Sequence, residues 1–117
     1  MKIQFFEGFQ EDLDRVAIEA VEPDEVLSCI DKAIQEIIKH PEHAAILKEP
    51  PLIGFRKKKF HSNLHPQEGF KPDLRLIYSY DSKQELIYIF GCGYRKLRSK
   101  EDVYEFMNQR IMGETKE

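Results

Sequence analysis

Three consecutive lysines, Lys57, Lys58 and Lys59, sit between Phe55 and Phe60; Arg75 interrupts the apolar run LRLIYSY; Arg95 follows Gly93 at the end of LIYIFGCGYR. Along an extended chain, successive side chains point to opposite faces. Phe55, Lys57 and Lys59 therefore share one side of their strand, and Arg56, Lys58 and Phe60 the other. In the next strand Leu74, Leu76, Tyr78 and Tyr80 form the set suited to a core, which turns Arg75, Ile77 and Ser79 the opposite way. The glycines before Arg95 permit a sharp turn. With Lys57 and Lys59 on the face of Arg75, and Arg95 turned toward them, four cations crowd one concave surface. Like charge at that density is costly unless a polyanion neutralises it. The chemistry on offer is phosphate binding, by guanidinium forks and lysine point charges. Lysines also guard exposed edge strands against aggregation. That reading accounts for Lys57–Lys59 but not for Arg75, which stands inside an apolar strand.

The net charge of −3 conceals an uneven distribution. Residues 1–54 carry 5 Lys/Arg and 12 Asp/Glu, a net −7; residues 55–100 carry 11 and 4, a net +7; residues 101–117 carry 2 and 5, a net −3. The basic middle has the makings of a polyanion-binding surface, since phosphate affinity comes largely from Lys and Arg. Apart from that segment, composition describes an ordinary folded chain of 117 residues with 41% hydrophobic and 33% charged residues, enough for one domain core, with two independent cores not expected. No apolar run reaches the length of a membrane span, and MKIQFFEGFQ has no signal-peptide core. Cys29 and Cys92 form no CxxC-type pair. This argues against a zinc site or disulfide scaffold and suits a reducing, cytoplasmic setting.

The elements that must position the cations follow from periodicity. Residues 2–6 read as a short strand. Phe9, Leu13, Val16 and Ala17 recur at helical spacing. Glu22-Pro23-Asp24 starts a second helix over 24–39, with Val26, Leu27, Ile30, Ala33, Ile34, Ile37 and Ile38 as its apolar stripe, ended by His40-Pro41. Residues 41–54 read as a connector with a helical turn at 42–48. Strands are expected at Phe55–His61, Leu74–Tyr80 and Glu85–Cys92, the last two joined by a tight turn at Asp81–Gln84. Ser99 and Asp102 form an S-x-x-D capping pattern that opens a helix over 99–111. The expected architecture is a single α+β domain over 1–117, β-α-α-β-β-β-α. It has an antiparallel sheet of about four strands, two N-terminal helices and one C-terminal helix. The helices cover one sheet face and leave the other open.

The segments GFRKKKF, LRLIYSYD, LIYIFGCGYRK and EDVYEF, in that order, resemble the RelE/ParE superfamily of bacterial toxin–antitoxin toxins. The similarity covers residues 54–106, and FEGFQEDLDRV resembles the family's opening strand-to-helix junction. The resemblance implies a small endoribonuclease that cuts mRNA in the 30S ribosomal A site without a metal or other cofactor. It implies catalytic roles for Lys57, Lys59, Arg75, Arg95 and Tyr104, and RNA binding by Lys57, Lys59, Arg75, Arg95, Lys96 and Arg98. Arg75 and Arg95 suit the phosphate. The division of proton transfers among Lys57, Lys59 and Tyr104 stays open, as does any part for His61 and His65 in the longer loop at 61–73.

Two other functions fit the same fold: a ParE-like poison of DNA gyrase, and a nuclease-inactive module that binds RNA or an antitoxin. All three imply an antitoxin partner, joined in a hetero-oligomer, for which residues 24–39 and the C-terminal helix offer apolar surfaces.

Overall fold

The computed structural model describes residues 1–114; positions 115–117 of the expected domain lie outside the described residues. The order of elements is β1 (Lys2–Phe5), α1 (Phe9–Glu19), α2 (Pro23–Lys39), β2 (Ala45–Ile46), β3 (Arg56–Phe60), β4 (Leu74–Asp81), β5 (Leu86–Tyr94) and α3 (Val103–Glu114). The fold is α+β. Its sheet has five strands in the order β1-β5-β4-β3-β2, not four.

Strands β3, β4 and β5 form the expected antiparallel meander. The Asp81 carboxylate closes its last turn by accepting hydrogen bonds from Lys83 N (2.9 Å) and Gln84 N (3.3 Å). The sheet departs from an all-antiparallel plan at β1, which runs parallel to β5. A chain that leaves the first strand through two helices crosses the sheet before its meander begins, and this crossover lets the strands run parallel. The fifth strand, β2, lies where a helical turn was expected. It is two residues long and pairs Ala45 with Lys57 and Ile46 with Arg56. Hydrogen bonds from Leu47 N to Phe55 O (2.7 Å) and from Gly54 N to Leu47 O (3.1 Å) close the loop behind it. So short a strand has no period for a sequence to display.

Helix α2 begins with Pro23 at its first turn, where a missing N–H costs nothing. Val26, Cys29, Ile30, Ala33 and Ile37 are its buried stripe. With Phe9 and Val16 of α1, Val26, Ile30, Ala33 and Ile37 pack on Leu74, Leu76, Tyr78, Ile87, Ile89 and Cys92. The opposite sheet face is not open. Leu52, Ile77, Phe90, Val103 and Met107 make a second core there, with α3 as its cover. The helix docks closely because β5 has no side chain at Gly91. A Cβ at that position would collide with Met107 Sδ and lie 2.7 Å from Arg110 Nη1. The helix starts at Val103 rather than Ser99. Arg98 has φ of 61° and so breaks any helical run from Ser99 backward, while the Ser99 hydroxyl accepts a bond from Glu101 N (3.0 Å) within a turn.

Candidate nucleic-acid interface

The sheet's second face is only partly covered by α3. Beside the helix N-terminus, cross-strand pairing brings Lys59 opposite Arg75 and Lys57 opposite Ile77, and directly paired residues project to the same side. The other side of β3 is anchored to the helical layer. Lys58 Nζ meets Glu36 of α2 at 2.6 Å, and Arg56 Nη1 donates to Glu42 O (3.0 Å) and Ala44 O (2.8 Å). These contacts hold the register that turns Lys57 and Lys59 outward.

Arg75 is 9% exposed. Its Nη1 donates to Pro72 O and Leu74 O, both at 2.9 Å. Its Nε is buried and has no hydrogen-bond partner among the described residues. A buried donor left unpaired costs about 1–3 kcal/mol.

Arg95 reaches this face through a β-bulge, where sequence reading had relied on the glycines for a turn. Ile77 pairs with Gly91 and Tyr78 with Ile89, so Phe90 is the extra residue of β5. Before the bulge, Ile87 and Ile89 face the first core; after it, Cys92 does. Gly91 and Gly93 are consequently turned toward α3, against Met107 and Val103. A bulge shifts side-chain parity by one, and Arg95, two residues beyond Gly93, falls on the side of Arg75. Its backbone N–H donates to Asp73 O at 2.8 Å, extending the ladder one step.

Asp102 is 3% exposed, and its main contact is one the sequence pattern did not reveal. Its carboxylate pairs with Arg95 Nη1 and accepts hydrogen bonds from Lys96 N and Tyr104 N. It thereby caps α3 at the N-cap position, one turn later than expected. Tyr104 follows in the first turn, its ring centroid 4.9 Å from the Arg95 guanidinium carbon.

Lys57, Lys59, Arg75, Arg95, Arg98 and Tyr104 line one groove of about 1050 Å³. Its walls are the loop after β2 and the segment Leu97–Asp102. Lys96 is not among the lining residues; its ammonium pairs with Glu19 (2.7 Å) and Glu101 (3.5 Å). His61 borders other cavities, and His65 is exposed on the loop. Among the described residues, no three His, Cys, Asp or Glu side chains gather as a metal site requires.

The groove's electrostatics follow from this crowding. The Lys57 ammonium is pushed below the usual lysine range by burial first, then by Lys59, Arg75 and Arg95. Burial pushes the Tyr104 phenol up. Arg75 and Arg95 oppose that shift, and the Asp102 charge adds to it. The site thus combines an amine that releases its proton more readily than usual, a phenol that keeps its own, and two guanidinium groups.

No protein-family model matches the chain. Comparison with curated protein sequences also gives no match. Solved structures do match. The RelBE2 toxin–antitoxin complex of Mycobacterium tuberculosis contains a chain similar to this one, with a TM-score of 0.55 and 16% identity, covering 80% of this chain and 96% of that one. The isolated RelE toxin of E. coli is similar with a TM-score of 0.53 and 19% identity, covering 94% and 97%. A YoeB/ParE toxin from Agrobacterium tumefaciens gives 0.54 and 12%, covering 82% and 100%. The chain has a RelE-like fold.

Proposed function

We propose that this chain is the toxin of a type II toxin–antitoxin pair: a cytoplasmic endoribonuclease that cleaves mRNA on the ribosome and so arrests translation. The observation that carries the reading is the convergence of Lys57, Lys59, Arg75, Arg95 and Tyr104 on one groove. The toxin–antitoxin complexes among the structural neighbours support a protein partner.

The groove's side chains supply what cleavage by an adjacent 2′-hydroxyl needs. Lys57, with its lowered affinity for a proton, acts as the base that takes the 2′-hydroxyl proton. The freed oxygen attacks the neighbouring phosphorus. Arg75 and Arg95 stabilise the charge that builds on the phosphoryl oxygens. The bond to the 5′-oxygen then breaks and Lys59 delivers a proton to that oxygen, leaving a 2′,3′-cyclic phosphate and a 5′-hydroxyl. Tyr104 keeps its phenolic proton and offers a ring on which a base stacks.

The test is an in vitro translation reaction primed with a defined mRNA, followed by mapping of RNA ends. Cleavage by the wild-type protein, lost in Arg75→Ala and Arg95→Ala, is the expected result. Intact mRNA, with induction instead producing gyrase-dependent DNA breaks, would replace this reading with the ParE-like one. Expression that is harmless from the outset, with RNA affinity retained, would leave a binding module.

A further inference from the structure

Three carboxylates line the groove, Glu49, Asp102 and Glu105. Glu49 and Glu105 are exposed, whereas Asp102 is buried beside the cation cluster. Such a charge weakens the local positive field, so its presence calls for a reason other than attraction of phosphate. The reason lies in its three contacts. One carboxylate oxygen takes both Arg95 Nη1 and Tyr104 N, and the other takes Lys96 N. The end of β5 and the start of α3, joined only by a turn that includes a left-handed Arg98, are locked to each other at this point.

Resting on the nuclease reading above, we infer that Asp102 is a positioning residue, which holds the Arg95 guanidinium and, through the α3 cap, Tyr104 at a fixed separation across the scissile phosphate. Arg95 has a long flexible side chain, and a cation free to roam would sample the productive position only part of the time. The ion pair removes that freedom before RNA arrives. Because Arg95 has five N–H donors and Asp102 engages Nη1, donors remain for phosphate.

The closing experiment separates capping from positioning. Serine is as good an N-cap as aspartate but cannot pair ionically with Arg95. Asp102→Ser keeps the cap but loses the Arg95 and Lys96 N bonds, so melting should fall somewhat; well below the transition, where the protein stays folded, kcat should fall on the order of 10²-fold, with KM little changed. Asp102→Asn, which keeps a neutral acceptor, should recover part of the loss. In an Arg95→Lys background, which keeps a cation but not the guanidinium that Asp102 holds, Asp102→Ser should cost clearly less than it does in the wild type, because the two residues act as one unit. Losses that simply add, or a fall in kcat that merely follows a fall in melting temperature, would overturn the inference. Two readouts stand apart from cleavage: guanidinium NMR of Arg95, where hindered rotation in the wild type should be released in Asp102→Ser, and the same double-mutant cycle in affinity for a 2′-deoxy oligonucleotide. A wild-type protein that leaves RNA intact would remove the nuclease reading alone. A freely rotating Arg95 in the wild type would remove the positioning role alone.

Discussion

Arg110 and Asp12, 98 residues apart in the chain, meet in a two-pronged ion pair with both bonds at 2.8 Å. Asp12 is fully buried and also accepts from Cys92 N (3.1 Å) and Arg15 Nη2 (3.0 Å). Arg110 Nη1 further donates to Phe90 O at 2.7 Å, at the bulge itself, and its guanidinium lies over the Phe6 ring. One buried network therefore joins α1, the bulged part of β5 and α3, the helix that carries Tyr104.

Removing half of that network should be severe. Asp12→Ala leaves the largely covered Arg110 without its counter-charge, and stability should fall by about 3 kcal/mol. Denaturant unfolding measures it. Asp12→Ala combined with Arg110→Met should lose clearly less than the sum of the two single losses, because the double variant no longer leaves the Arg110 charge unpaired.

Gly91 marks the closest approach of sheet and helix. In Gly91→Ala the new Cβ meets Met107 and Arg110, so α3 must lift. A stability loss of about 1–3 kcal/mol is expected. Amide exchange should rise first along α3, and cleavage should drop because Tyr104 rides on the displaced helix.

Lys57→Arg keeps a cation in place but removes an amine that gives up its proton more readily than an ordinary lysine. Oligonucleotide binding should persist while the cleavage rate falls about 10²–10⁴-fold. The sign of the wild-type pH profile follows from the same assignment. Only the neutral amine accepts a proton, so the rate should climb with pH and flatten above the Lys57 pKa. That plateau should begin below the ordinary lysine value, in keeping with the lowered pKa. A rate that falls as pH rises toward that value would contradict the role.

Arg75→Met exchanges function for stability. The substitution removes a buried donor without a partner and relieves repulsion at Lys57. Melting should rise, by the equivalent of about 0.5–2 kcal/mol, while cleavage is lost. In oligonucleotide titrations over a range of salt, the slope of log affinity should shrink by about 0.7, one single-strand phosphate contact.

The residues themselves determined much of this molecule. The helix over Pro23–Lys39 is legible in its apolar stripe, and the meander in its two-residue alternation. Local geometry is enough for both, since side-chain direction along a strand or helix is set by the backbone's own period. That is also why the common face of Lys57, Lys59 and Arg75 can be read from the strings FRKKKF and LRLIYSY. The resemblance to RelE-like toxins rests on the same segments, and the fold agrees with it.

What tertiary structure alone decided is everything that depends on a break in period or on contact between distant segments. One extra residue at Phe90 sets the side on which Arg95 emerges; the glycines of LIYIFGCGYR permit a bulge, but its position is fixed only by pairing with β4. The parallel partner of β1, the two-residue β2 and the second core beneath α3 are likewise products of chain crossing and packing. Asp12 and Asp102 look in sequence like a solvated helix acid and a cap; burial beside Arg110 and Arg95 makes them structural centres. A period is a local property of the backbone and survives in the one-dimensional string, whereas burial and charge pairing exist only once remote segments have met.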